Sequence, residues 1–225
     1  MTHVEASEID PSGGPWPAGA GASRAVPILI VPGLYNSEPD HWQSHWEREL
    51  PDALRVEQLD WEQPTLGDWV AGLVEAVRLH PGAVLVGHSL GCALIAHLAQ
   101  LRGGRGIGGA MLVAPADVER SRPAGQLLQG FAPMPRDRLP FPSLVVASRD
   151  DPYVEIERAQ AFASSWGSDF VDLGRAGHIN VAAGFGDWRR GRRLLASLVA
   201  RVTAAEDRAG LRRRVSRGLN GRFSL

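Results

Sequence analysis

Six short apolar runs, each followed by a stretch with helical spacing, constrain the fold of this chain more than any single motif. The runs are residues 26–31 (VPILIV), 54–59 (LRVEQL), 83–87 (AVLVG), 109–114 (GAMLVA), 143–148 (SLVVAS) and 169–173 (DFVDL). Most lack polar alternation, the pattern of strands buried on both faces. Helical patterns fall at 39–49, 66–79, 90–101, 120–130, 155–166 and 187–202. Strand followed by helix, repeated in this way, predicts an α/β fold: a mostly parallel sheet of about six strands with helices on both faces. A chain of 225 residues has room for one such domain and not for two generous ones.

Composition removes several classes of function. Apolar residues make up 44% and charged residues 22%, which suits a globular domain and excludes a fibrous or disordered chain. No apolar run approaches the length of a membrane span. Every basic residue is arginine and the net charge is only −1, so nothing global points to nucleic acid. Cys92 is the single cysteine, which excludes an internal disulfide or a cysteine-based metal cluster and fits a reducing, cytoplasmic setting. Residues 1–25 carry Glu5, Glu8 and Asp10 without an apolar segment, and read as a flexible leader rather than a signal peptide. The α/β domain is expected over 26–203, followed by an Arg-rich tail over 204–225. That tail reads as frayed and solvated, although Leu211, Val215 and Leu219 are spaced as in a basic amphipathic helix that touches an anionic surface.

In an open parallel sheet, chemistry collects in loops leaving the carboxyl ends of the strands. Those loops begin at Pro32, Asp60, His88, Pro115, Arg149 and Gly174. The third opens GHSLG, residues 87–91, between a buried strand and a helix start. A bare G-x-S-x-G arises by chance in about one shuffled chain in five of this composition, so the context carries the weight. A sharp turn there exposes the Ser89 hydroxyl and aims helix N-terminal amides at developing negative charge. The alternative is an ordinary serine N-cap.

A serine hydroxyl attacks an acyl carbon at neutral pH only with a base to take its proton and donors to hold the oxyanion. Of seven histidines, position leaves His41 and His178 as candidate bases. His178 follows the last strand in a Gly-rich loop and is the better placed. The carboxylate that orients the imidazole is expected in ASRDDPYV, residues 147–154, with Asp151 preferred and Asp150 and Asp117 as rivals. In the first loop, VPGLYNSEPDHW, Gly33 lets the backbone approach the site, and the amides of Leu34 and Leu90 form the natural oxyanion pair. His41, Trp42 and Trp61 are expected to line the acyl or leaving-group pocket. His41 and His45 stand four apart, a spacing that can hold a metal, but no glutamate follows His41 and no third ligand is apparent, so neither metal nor cofactor is expected.

Four segments together, VPGLYNSEPDHWQSHWE, VGHSLGCALIAHL, PRDRLPFPSLVVASRDDPYV and GRAGHINVAAGFGDW, resemble the small serine hydrolases related to retinoblastoma-binding protein 9 and YdeN. The resemblance spans roughly residues 26 to 200. It implies a compact α/β-hydrolase fold, a triad matching Ser89, Asp151 and His178, and hydrolysis of small esters or related acyl compounds. Only 28 residues, Pro115 to Pro142, occupy the interval where larger relatives of this fold carry a lid, so no large lid is expected. Two other readings remain open: an acyltransferase or cyclase using the same residues, and a binding protein on a hydrolase scaffold.

Overall fold

Strand β1 (Ile28–Val31) illustrates why the runs are apolar without a break. Leu29 and Val31 join one core, and Ile28 and Ile30 join a second core on the opposite face of the sheet. The computed structural model describes residues 26–120 and 125–220, with side-chain surroundings as far as residue 209. The remaining strands are β2 (Ala53–Arg55), β3 (Ala83–His88), β4 (Ile107–Val113), β5 (Ser143–Ala147) and β6 (Asp169–Asp172). They form one sheet in the order β2-β1-β3-β4-β5-β6, and every neighbouring pair is parallel.

The helices are α1 (Trp42–Glu49), α2 (Leu66–Leu79), α3 (Leu90–Arg102), α4 (Gly125–Gln129), α5 (Ile156–Trp166) and α6 (Arg189–Asn220). Leu73 of α2, Leu94 of α3 and Phe162 of α5 pack into the first core, whereas Trp42 and Trp46 of α1 and Leu195 and Leu198 of α6 pack into the second. Each of these fully buried side chains contributes about 1.5–3 kcal/mol of transfer free energy. After β1 the chain adds β2 on one side, then crosses back to add β3 on the other. Such a reversal opens a crevice at the carboxyl ends of the two central strands, here those of β1 and β3.

Several elements differ from the sequence expectation for physical reasons. The strand expected over 54–59 ends at Arg55 because its partner β1 ends at Val31, and Leu59 is left exposed. Strand β4 starts at Ile107, earlier than expected, because Gly108 and Gly109 are part of it. A Cβ on Gly108 would lie 2.3 Å from Gly82 O, so glycine serves close packing there rather than a break. Helix α4 covers only Gly125–Gln129 of the expected 120–130, and residues 121–124 lie outside the described residues. Helix α6 does not stop at 202 but continues to Asn220, through the strong helix formers Ala204, Ala205 and Glu206. The expectations for the leader and for the faces of the Arg-rich tail fall outside the described residues and side chains. Among the described residues no helix is long and apolar enough to cross a membrane.

Candidate active site

At the junction of β3 and α3, Ser89 adopts φ 54° and ψ −120°, a conformation a non-glycine residue holds only when its surroundings impose it. Glycines on both sides make the turn possible. A Cβ on Gly91 would sit 2.2 Å from Val31 O, and one on Gly87 would sit 2.8 Å from Ile95 Cδ1. Ser89 occupies the N-cap position of α3, yet its side chain makes no capping bond. The hydroxyl is therefore not spent on the helix, as an ordinary N-cap serine would be.

Loop 32–41 after β1 packs directly on this turn. A Cβ on Gly33 would lie 2.9 Å from Ser89 Cβ, 3.0 Å from His88 O and 3.2 Å from Leu90 N, so only glycine fits without displacement. Among the described residues the amides of Leu34 and Leu90 donate no hydrogen bond, and Leu90, as the first residue of its helix, has no intrahelical partner. The next two residues, Tyr35 and Asn36, both have φ 65°. A left-handed residue with a side chain costs about 1–2 kcal/mol, somewhat less for asparagine. The loop is thus held against its own preference.

His178 follows β6 and is buried, with its Nδ1 2.9 Å from each Asp151 carboxylate oxygen. Because a carboxylate only accepts, Nδ1–H donates, so that in the neutral ring the lone pair is on Nε2. Asp151 also accepts from Tyr153 N at 2.9 Å, and the neighbouring Val154 is buried in the core beneath it. The loop carrying His178 is fastened at successive residues. Ala176 N donates to Ser148 Oγ (2.9 Å), Gly177 N to Asp150 Oδ1 (2.8 Å), His88 Nε2 to His178 O (2.9 Å) and Trp42 Nε1 to Ile179 O (2.8 Å).

Neither rival carboxylate touches His178. Asp150 binds Gly177 N and Ser148 Oγ and stands 3.6 Å from Arg175, bonds that hold its carboxyl below the usual range. Asp117 accepts two bonds from Arg158, at 2.6 and 3.0 Å. Burial raises its pKa, but the guanidinium and the amides of Glu119 and Arg120 outweigh that, leaving it lowered.

A cavity of about 210 Å³ opens where these loops meet, lined by Gly33, Leu34, His41, Ser89 and His178 of the expected set. Tyr35, Asn36, Glu38, His88, Leu128, Tyr153 and Asn180 also line it, and the sequence had singled out none of them for that role. The Tyr153 ring lies 4.3 Å from that of His178, which its place two residues after Asp151 could have signalled. Two expected lining residues are elsewhere. Trp42 is fully buried between Trp46 and Trp188, four residues of helical spacing having put Trp42 and Trp46 on one core-facing side. Trp61 packs edge-on against Trp69, and its carbonyl accepts Tyr35 N, so it supports the first loop from behind.

His41, His88 and His178 form a chain of rings with centroids 4.9 and 4.8 Å apart. His41 Nδ1 accepts Gln43 N at 3.2 Å as the cap of α1, which leaves its proton on Nε2. Burial, then the charge of Arg55, then His178 push the His41 pKa down to about 3. His88 is also held well below its ordinary value, chiefly by burial, with His178 and His41 adding to it. Both stay neutral at neutral pH. His45 faces Glu49 at 3.5 Å, and among the described residues no three His, Cys, Asp or Glu side chains are grouped to hold a metal. Cys92 donates its thiol to Val113 O, and burial raises its pKa well above the ordinary value.

With this geometry in place, comparison with known proteins identifies the family. The family model described as Serine hydrolase matches residues 28–197, most of the chain. The chain belongs to the serine hydrolase family. This serine hydrolase is similar to a YdeN-like hydrolase from Pectobacterium atrosepticum, at 38% identity and a TM-score of 0.70 over 79% of this chain and 92% of that one. It is also similar to the ydeN gene product of B. subtilis, at 25% identity and a TM-score of 0.62 over 78% of this chain and all of that one. A thermophilic esterase from Thermogutta terrifontis shares the fold at 18% identity and a TM-score of 0.57, covering 80% of this chain and 91% of that one. No curated protein sequence matches. The fold is that of α/β-hydrolases with no lid among the described residues, and the protein is an enzyme of hydrolase type.

Proposed function

We propose that this serine hydrolase cleaves small esters or related acyl compounds through an acyl-enzyme on Ser89. One observation carries the reading: an uncapped serine hydroxyl on a strained strand-to-helix turn shares a cavity with a histidine whose Nδ1 is held by a buried carboxylate. His178 Nε2 takes the Ser89 proton as Oγ attacks the acyl carbon. The tetrahedral oxyanion accepts the amides of Leu34 and Leu90. As it collapses, the imidazolium gives its proton to the leaving alcohol. Water then repeats the sequence, regenerating Ser89 and releasing the acid. Asp151 fixes the imidazole tautomer and stabilises the imidazolium.

The cavity volume of about 210 Å³ lies below the range usual for drug-sized ligands and supports small substrates. The single cysteine, buried and reduced, is compatible with a cytoplasmic location. The test is kcat/KM on p-nitrophenyl acetate, a thioester and an anilide, for wild type, Ser89→Ala and His178→Ala. Ester turnover that falls by at least about 10⁴-fold in both variants, with circular dichroism unchanged, is expected. Turnover within about tenfold of wild type in Ser89→Ala would overturn the proposal.

A further inference from the structure

Arg55, at the carboxyl end of the edge strand β2, uses its whole guanidinium to tie the first loop to α1. Nη1 donates to Asn36 Oδ1 at 2.6 Å and to Ser37 O at 3.1 Å. Nη2 donates to Ser44 Oγ at 2.7 Å, and Nε to Glu47 Oε2 at 2.8 Å. The side chain is only 10% exposed. Ser44 Oγ in turn donates to Ser37 O at 3.1 Å, and Ser37 Oγ to Gln43 Oε1 at 2.7 Å. Gln43 Nε2 reaches Val86 O of β3 at 3.0 Å, one residue before the turn that carries Ser89 begins. A continuous polar network therefore runs from the sheet edge to the catalytic turn.

The bonds fall on the segment that needs them. Asn36 is one of the two consecutive left-handed residues, and its Oδ1 also accepts Ser37 N at 2.8 Å. Its own amide donates to Gly33 O at 3.2 Å, closing a tight turn with Leu34 and Tyr35 at the two middle positions. Releasing Asn36 frees that turn to relax, and relaxation re-aims the Leu34 amide. A planar guanidinium can hold Asn36, Ser37, Ser44 and Glu47 at once, whereas a lysine ammonium cannot.

We propose that Arg55 is a positioning residue for the oxyanion site: it holds the strained Tyr35–Asn36 turn so that the Leu34 amide faces the developing oxyanion. This rests on the reading of Leu34 as an oxyanion donor and names what keeps it in place. Arg55 acts through the loop and touches no substrate. Its loss therefore weakens binding of the transition state more than of the ground state.

The experiment compares Arg55→Lys, Arg55→Met and Asn36→Gly with wild type and with Ser89→Ala. Glycine tolerates φ 65° but removes the amide acceptor, so Asn36→Gly tests the bond in a variant whose backbone is unstrained. The readouts are kcat and KM on p-nitrophenyl acetate and the inhibition constant of a trifluoromethyl ketone, whose hemiketal oxyanion mimics the tetrahedral intermediate. Each variant is expected to lose at least about tenfold in kcat and a similar factor in ketone affinity, with KM within about twofold. The combination Arg55→Met with Asn36→Gly should cost no more than the larger single loss, because both cut the same link. If Arg55→Met does not fold, Asn36→Gly and Arg55→Lys carry the test. A loss of thermal stability with kcat and ketone affinity unchanged would overturn the proposal and leave Arg55 a purely structural residue. Ser89→Ala separates the two levels. If it abolishes turnover while the Arg55 and Asn36 variants bind the ketone as wild type does, the positioning role fails alone. If it leaves turnover intact, the catalytic reading itself fails.

Discussion

Gly33→Ala is the smallest change that should separate catalytic geometry from stability. The added methyl carbon would lie 2.9 Å from Ser89 Cβ, 3.0 Å from His88 O and 3.2 Å from Leu90 N. Carbon atoms in contact prefer about 3.5–4.0 Å, so the loop has to withdraw by roughly half an ångström or more. The contacted atoms cannot yield, since two are backbone and the third is anchored on the strained turn. Overpacking of this kind costs about 1–3 kcal/mol of stability. The withdrawal also carries the neighbouring Leu34 amide away from the oxyanion position. Losing one such donor outright costs about 10²–10³ in kcat, so partial displacement is expected to cost about 10- to 100-fold. The assay is kcat/KM on p-nitrophenyl acetate beside urea unfolding. Gly67→Ala is the control, because nothing lies within 4 Å of its would-be Cβ, and it should leave the rate unchanged. A Gly33→Ala enzyme destabilised as expected but within threefold of wild-type kcat/KM would refute the placement of Leu34.

The buried neutral histidines make stability fall in mild acid. His41 keeps its proton off down to a pKa of about 3, whereas an unfolded histidine takes one below about 6.5, so between those values the unfolded state binds more protons. The contribution of His41 should be constant above about pH 6.5 and fall by about 1.4 kcal/mol per unit below it, with His88 adding a loss in the same direction; urea titrations at pH 7, 6 and 5 check this. His88→Asn should shallow the slope, and constant wild-type stability from pH 7 to 5 would contradict the burial argument. Asp151→Asn should cost about 10³–10⁴ in kcat by losing the tautomer, Asp150→Asn about tenfold or less, and Asp117→Asn only stability; a larger rate loss in Asp117→Asn would move the acid to the other loop. Across p-nitrophenyl esters from acetate to palmitate, kcat/KM should not climb beyond eight carbons, because each methylene left in water forgoes about 0.8 kcal/mol. A steady rise would mean that an apolar surface closes over the acyl chain.

That Ser89, Asp151 and His178 would lie along one edge of the sheet was legible in the sequence because the clues were local: apolar runs ending in Gly-His-Ser, in Asp-Asp-Pro and in a Gly-rich loop. Parallel strands bring their carboxyl ends to one edge, so residues far apart in the chain share a region once the strands are recognised. Between Asp150 and Asp151 the sequence favoured Asp151, because the turn Asp-Pro-Tyr-Val can pack Val154 inward while the aspartate faces the site; Val154 is buried and Asp151 is the carboxylate beside the imidazole, whereas Asp150 turns toward the loop amides. The tryptophans were misplaced. An aromatic residue beside a catalytic loop reads the same whether it faces the cavity or the core, and the helical spacing of Trp42 and Trp46 was the overlooked guide. Arg55 gave no signal, because its partners Asn36, Ser44 and Glu47 meet only after β2 pairs with β1 and α1 folds back. The end of β2 depends on where a neighbouring strand stops, and that of α6 on a run without proline that continues through Gly210 and Gly218, which short apolar runs do not encode.

The central claim, that Ser89 is the nucleophile activated by His178, is tested most directly by reacting the protein with a fluorophosphonate and mapping the adduct by mass spectrometry. The account predicts one phosphonyl group per chain on Ser89, loss of ester turnover in proportion to labelling, and no adduct in Ser89→Ala. An adduct on another residue, or turnover that persists after complete labelling of Ser89, would contradict it.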